Sequence, residues 1–286
     1  MLKTILVPLL GAAADDAAVA TAFQLARPSG AHVEGLFVRA DPRDAIPLFG
    51  EGVSGALVEE IMQAAAAEGT THATAARALF ARLAAAAGAT SAADPPGPGR
   101  LSSSYREVTG RAEQVLPVEG RLADLLVMSR SSAKADAVYA LALETAVVGC
   151  GRPMLLAADQ PRPTLGETVA IAWSGSRESA VAVSLALPIL AAATRVVVLT
   201  AETSSTPAAA GDALVRHLAW HGIEARTVRT KPSGSVGQAL MAQAIDTGAD
   251  LLVMGGYGHS RLRELVLGGV TRWMIDHGGL PVLVAH

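Results

Sequence analysis

In the second half of the chain, short unbroken apolar runs alternate with longer stretches whose apolar residues recur at helical spacing. The runs fall at 168–173, 195–200, 223–229, 249–254 and 280–285, and the helical stretches at 177–190, 209–221, 235–247 and 269–277. Val196-Val197-Val198-Leu199 is apolar without alternation, which suits a strand covered on both faces. Strand-length runs alternating with helix-length stretches predict successive βαβ units and a parallel sheet. Ser176, just ahead of Arg177-Glu178-Ser179, is placed to cap the first of these helices.

The first half repeats the pattern. Ala123-Asp124-Leu125-Leu126-Val127-Met128 returns letter for letter as Ala249-Asp250-Leu251-Leu252-Val253-Met254, and Thr145 and Thr271 are related by the same offset. Both halves open on a similar run, Thr4 to Gly11 and Thr168 to Gly175, and both close on one, Arg152 to Ala157 and Leu280 to Ala285. Ordered matches of this kind are the signature of a duplicated unit. The proline-rich segment 158–166 reads as the linker, giving units at 1–158 and 167–286. The first unit is longer by an insertion at about 45–100. Its core is an alanine-rich helical stretch, 53–88, followed by a loop at Asp94-Pro95-Pro96-Gly97-Pro98-Gly99. Leu57 with Ile61, and Leu79 with Leu83, are the i, i+4 pairs expected to fasten that helix down.

Composition narrows the possible partners. An apolar content of 51% against 17% charged residues excludes a disordered chain. Aromatics at 3% and a net charge of −3 argue against nucleic acid as a partner. No apolar run is long enough for a membrane span, and the start, Met1 to Pro8, lacks the features of a signal peptide, so a cytoplasmic location is expected. With one cysteine, Cys150, no intramolecular disulfide can form, and its apolar setting suggests a buried small hydrophobe.

Chemistry concentrates where the fourth run of the second unit ends, in Gly255-Gly256-Tyr257-Gly258-His259-Ser260-Arg261 and on to Gly268-Gly269-Val270-Thr271. Glycines directly after a strand let main-chain N–H groups approach an anion, and the helix opening at Gly269 directs its positive end the same way. Such a loop also leaves the carboxyl end of a parallel strand, where ligands of open α/β sheets bind. Glycine pairs serve tight turns as well, and that purely structural reading stays open. His259 stands near a phosphate or in solvent; Arg261 and Arg263 face phosphate or pair with Glu264. His217 and His221 sit one helical turn apart without an evident third ligand. Ser102-Ser103-Ser104 has no motif around it that would make a nucleophile.

The spacing Gly255-x2-Gly258-x9-Gly268 resembles that of the universal stress protein family, whose ATP-binding members carry G-x2-G-x9-G followed by Ser or Thr. The flanking Gly248 to Met254 and Pro281 to Val284 resemble it too. The resemblance implies two tandem, open, five-stranded parallel-sheet units of the Rossmann-like, adenine nucleotide alpha hydrolase-like kind. It also implies a stress-response protein binding adenine nucleotide, ATP or AMP with or without Mg2+, and commonly built as a dimer or tandem pseudo-dimer. The implied nucleotide site is Ala172, Ser174, Gly255, Gly258, His259, Gly268, Gly269, Val270 and Thr271. Two positions depart from the family pattern. Gly269 stands where Ser or Thr is expected, with Thr271 two residues on, and Ser174 stands where Asp usually meets the nucleoside.

The first unit has Ser129, Ser132, Ala142 and Leu143 where the second has Gly255, Gly258, Gly268 and Gly269. It is therefore expected to be a structural partner, its cleft filled by Tyr139, Leu141 or the inserted helix. No general base or pair of metal-holding carboxylates is evident beside the loop, so signalling is expected over turnover. A nucleotide-free protein-interaction module and a slow ATPase are the alternatives. The apolar last strand of each unit is free to pair across units or chains.

Overall fold

The computed structural model describes residues 2–11, 15–46, 54–130, 137–202, 210–232, 234–256 and 269–286. In the first unit, β1 (Thr4–Leu9), α1 (Asp15–Ala26), β2 (His32–Arg39) and the long helix α2 (Gly55–Ala87) are followed by a two-residue strand, β3 (Thr90–Ser91). Then come β4 (Ser102–Thr109), α3 (Ala112–Glu119), β5 (Leu125–Ser129), α4 (Ala137–Gly149) and β6 (Met154–Ala157). The second unit runs β7 (Thr168–Ala172), α5 (Arg177–Leu190), β8 (Arg195–Ala201), α6 (Ala210–Trp220), β9 (Ala225–Thr230), α7 (Val236–Asp246), β10 (Leu251–Gly255), α8 (Gly269–His277) and β11 (Val282–Ala285).

All the strands join one sheet, in the order β3-β4-β2-β1-β5-β6-β11-β10-β7-β8-β9. Within each unit the pairing is parallel, and the chain reverses direction across the sheet between β1 and β5 and again between β7 and β10. The fold is therefore α/β and doubly wound, as the alternation of runs predicts. The units meet through the closing strands. β6 and β11 pair antiparallel, with Val282 opposite Leu156 and Val284 opposite Met154. Two apolar cores result, one on each face, and both draw residues from both units. Leu155 and Leu283 lie in the core under α1, α2, α5 and α6; Met154 and Val284 lie in the one under α3, α4, α7 and α8.

The repeated hexapeptide has one structural meaning in both copies. Asp250 accepts from the main-chain N–H groups of Gly166 (2.9 Å), Glu167 (3.1 Å) and Thr168 (3.2 Å), where β7 begins. Asp124 accepts from Lys3 (2.7 Å) and Thr4 (3.1 Å), where β1 begins. A carboxylate at this position satisfies donors that no neighbouring strand reaches.

The inserted helix is fastened down along its second half, where Leu83 packs against the core as its spacing suggests. Leu57 is 47% exposed, and the buried stripe is Ala73, Ala76, Phe80 and Ala84. Alanines let α2 come close to the sheet, where Phe80 meets Phe23 and Tyr105 at centroid distances of 5.7 and 6.0 Å. Gly35 on β2 makes room for that ring, since a Cβ there would stand 2.7 Å from Phe80. Of the two pairs suggested by spacing, Leu79 and Leu83 lie half-buried beside this stripe, whereas Leu57 stays exposed. Cys150 is buried just after α4, and burial pushes its thiol up.

Candidate functional site

The carboxyl ends of β7 and β10 lie side by side, Ala172 opposite Met254. This is the crevice of the second unit, where strand order reverses. Ala172 is buried; beyond it Trp173 donates its indole N–H to the Ala210 carbonyl at 3.0 Å. Ser174 is exposed, and its hydroxyl accepts from the Ser176 N–H at 3.4 Å. Gly175 has φ of 75°, a left-handed turn that swings the chain into α5. Ser176 caps that helix as its sequence suggests, accepting from the Ser179 N–H at 3.2 Å.

β10 ends against this same turn. A Cβ on Gly255 would lie 2.5 Å from the Glu178 carbonyl carbon, so α5 can approach only because residue 255 has no side chain. A Cβ on Gly256 would meet Val284, with Thr271 close behind at 3.9 Å. The bare backbone at 255 and 256 is thus required by protein packing, and it draws α5 and α8 toward one spot. Of the residues proposed from sequence, Ala172, Ser174, Gly255 and the buried Thr271 converge there. Gly269 opens α8 on the exposed side, with Val270 half-buried beside it. Gly258, His259 and Gly268 lie outside the described residues, as do Arg261 and Arg263.

Two groups not anticipated from sequence join the site. Glu178, in the first turn of α5, is held below the usual carboxylate range, first by its own main-chain N–H, then by the Ser176 hydroxyl and the charges of Arg177 and His286. His286 approaches the carbonyl of Gly256, its Nδ1 at 3.2 Å. A single carboxylate thus stands near the end of β10, against Gly255. It arrives from a helix some eighty residues upstream, and the local signal for it was the capping serine followed by Glu178.

The matching crevice of the first unit is closed. Its end of β5 lies under α4. Tyr139, 1% exposed, accepts from the Ser129 N–H at 2.9 Å, and burial first, then the charge of Asp15, raises its hydroxyl pKa strongly. Asp15 accepts from the N–H groups of Leu10 and Gly11, each at 2.8 Å. Gly11 sits directly beneath the main chain of His72 on α2. Leu141, the other residue considered for this cleft, is 40% exposed and does not fill it.

Elsewhere, His217 and His221 stand ring edge to ring face at 4.9 Å, both exposed on the outer side of α6. Among the described residues no three His, Cys, Asp or Glu side chains cluster as a metal site, and no helix is long and apolar enough to cross a membrane. The serines of β4 serve a half-buried histidine: His32 bonds Ser102 through Nδ1 (2.9 Å) and Ser104 through Nε2 (2.8 Å).

A pair of doubly wound α/β units, fused through their closing strands and asymmetric at their crevices, defines the class. Residues 167–286 match the family model described as Universal stress protein family. The match covers the second unit, which is similar to that family. The chain is 40% identical over 50 residues to a universal stress protein of Synechocystis sp., a stretch covering 18% of this chain and 17% of that protein. Among solved structures it is similar to a universal stress protein from Archaeoglobus fulgidus, with a TM-score of 0.65 at 13% identity over 99% of this chain and 95% of that one. A putative universal stress protein from Pseudomonas aeruginosa gives 0.56 at 17%, covering 99% and 93%. At these identities the likeness speaks for the fold, and it spans both units.

Proposed function

We propose that the chain is a regulatory stress-response protein that holds one adenine nucleotide, ATP or AMP, at the crevice of its second unit. On this reading the first unit is a structural partner with no nucleotide of its own. The observation that carries it is the difference between two equivalent strand ends. β10 ends in Gly255 and Gly256, next to the end of β7 and the exposed Ser174 that follows it, and the sequence continues with spaced glycines, whereas β5 ends under Tyr139. Ser174 and Thr271 supply hydroxyls toward the nucleoside and phosphate ends, and a Mg2+ carried with the phosphates would find the Glu178 carboxylate at the same mouth.

The test is to release and identify small molecules from protein purified without added nucleotide, then to titrate stripped protein with ATP and AMP in a calorimeter. One equivalent of nucleotide per chain supports the proposal; two equivalents would refute the assignment to a single unit.

One observation favours a second reading. Glu178 already sits on the positive end of α5 and would repel a phosphate there. A nucleotide-free interaction module with the same fold would give no heat at about millimolar ligand, a free energy weaker than roughly −4 kcal/mol. Slow hydrolysis would show instead as labelled ADP accumulating from ATP retained on the protein.

A further inference from the structure

We propose that the first unit carries a separate small-molecule site, built by the inserted helix, for a mostly apolar molecule bearing a cationic amine. The site is a pocket of about 510 Å³ beyond the carboxyl ends of β1, β2 and β4. That volume falls within the roughly 300–1,000 Å³ usual for small-ligand sites. It lies beside the β5 end that Tyr139 stoppers, with Leu10 and Val138 among its lining.

Its walls are largely apolar. Phe37 and Val38 come from β2, Ala65 and Gly69 from α2, and Val138 and Leu141 from α4. Leu141 and Val138 are 40% and 58% exposed at this rim, which is where an apolar ligand would cover them. α2 is what makes the pocket: its small residues at 65 and 69 leave the space that a larger side chain would occupy.

Charge selects the ligand class. The described lining residues include four carboxylates, Asp41, Asp44, Glu68 and Glu113, against one guanidinium, Arg111. Arg111 is already forked onto Asp44, at 2.7 and 3.1 Å. Arg43 likewise holds Asp41. Glu68 and Glu113 are left in excess, and Glu113 also offsets the positive end of α3 in its first turn. A phosphate or carboxylate ligand would meet net repulsion here, and an amine net attraction.

A matched set of fluorescent probes tests this on the full chain: dansylcadaverine (cation), dansylamide (neutral) and dansylglycine (anion). Dansylcadaverine is expected to bind one per chain, about tenfold or more tighter than dansylglycine, and undisturbed by ATP. Ala65→Trp, which fills the pocket from α2, should abolish binding; Leu141→Trp on the facing wall replaces it if the first variant does not fold. The double variant Glu68→Gln/Glu113→Gln should bring dansylcadaverine down to the affinity of dansylamide while leaving dansylamide itself unchanged. Equal binding of all three probes, preference for the anion, displacement by ATP, or binding that survives both tryptophan variants would each overturn the proposal. Apart from the competition by ATP, these readouts need no nucleotide, so they stand or fall independently of the preceding section.

Discussion

Replacing Asp250 by alanine takes one acceptor away from three main-chain N–H groups at the start of β7. An orphaned donor costs about 1–3 kcal/mol when it stays dry. Here Gly166 and Glu167 lie near the surface and can recover water, and removing a carboxylate that is 5% exposed also removes its own cost of burial. The net loss is therefore expected at about 2–4 kcal/mol. Asp124→Ala is the internal comparison: it orphans two donors, one on the exposed Lys3, and should cost about 1–2 kcal/mol. Equilibrium unfolding in urea measures both, and the chain supplies a useful reporter. All three tryptophans, Trp173, Trp220 and Trp273, belong to the second unit, so their fluorescence follows that unit while circular dichroism follows the whole. Since β6 and β11 tie the units into one sheet, Asp124→Ala should lower the tryptophan transition as well, though the substitution lies in the other unit. A loss below about 0.5 kcal/mol for Asp250→Ala would show that the carboxylate does not brace the strand. A tryptophan transition blind to Asp124→Ala would show that the shared sheet does not couple the units.

Gly255→Ala should cost about 2–3 kcal/mol in the same assay, because a methyl group there meets the main chain of α5, which yields only by moving the helix. The reciprocal change, Ser129→Gly, should stay within about 1 kcal/mol, since β5 already accommodates a side chain at that position. Tyr139→Phe leaves the buried Ser129 N–H without its acceptor and should lower stability by about 1–2 kcal/mol, read from the urea midpoint. His32 has its pKa lowered from 6.5, first by burial and against the pull of Glu34. Folding therefore favours the neutral ring: its contribution is complete above pH 6.5 and is lost as the pH falls through the lower folded value. Thermal melts stepped downward from pH 7 should show this loss, and His32→Gln should remove that component of the pH dependence.

The doubly wound architecture was readable because a parallel sheet covered on both faces leaves strong marks: unbroken runs such as Val196 to Leu199, helices of regular length between them, and a six-residue repeat. Which residues of α2 would carry the buried seam was only partly readable. Leucine spacing pointed to Leu79 and Leu83, which border the seam, and equally to Leu57, which is exposed; the seam itself is mostly alanine, which lets a helix approach a sheet more closely, and it depends on Gly35 lying across from Phe80. Glu178 was missed for a related reason. Glycines after a strand are a local signal, whereas the carboxylate near Gly255 comes from another βα turn and becomes a neighbour only through the pairing of β7 with β10. The closing strands show the opposite case. Their sequences, rich in Leu and Val, called for a partner, and the chain supplies it internally by setting β6 against β11. Each unit thereby gives up an open edge to the other. That arrangement also explains how the first unit can lose its glycine loop without losing its place: its β6 still completes the sheet, so its crevice was free to close under Tyr139 while the pocket beneath α2 opened beside it.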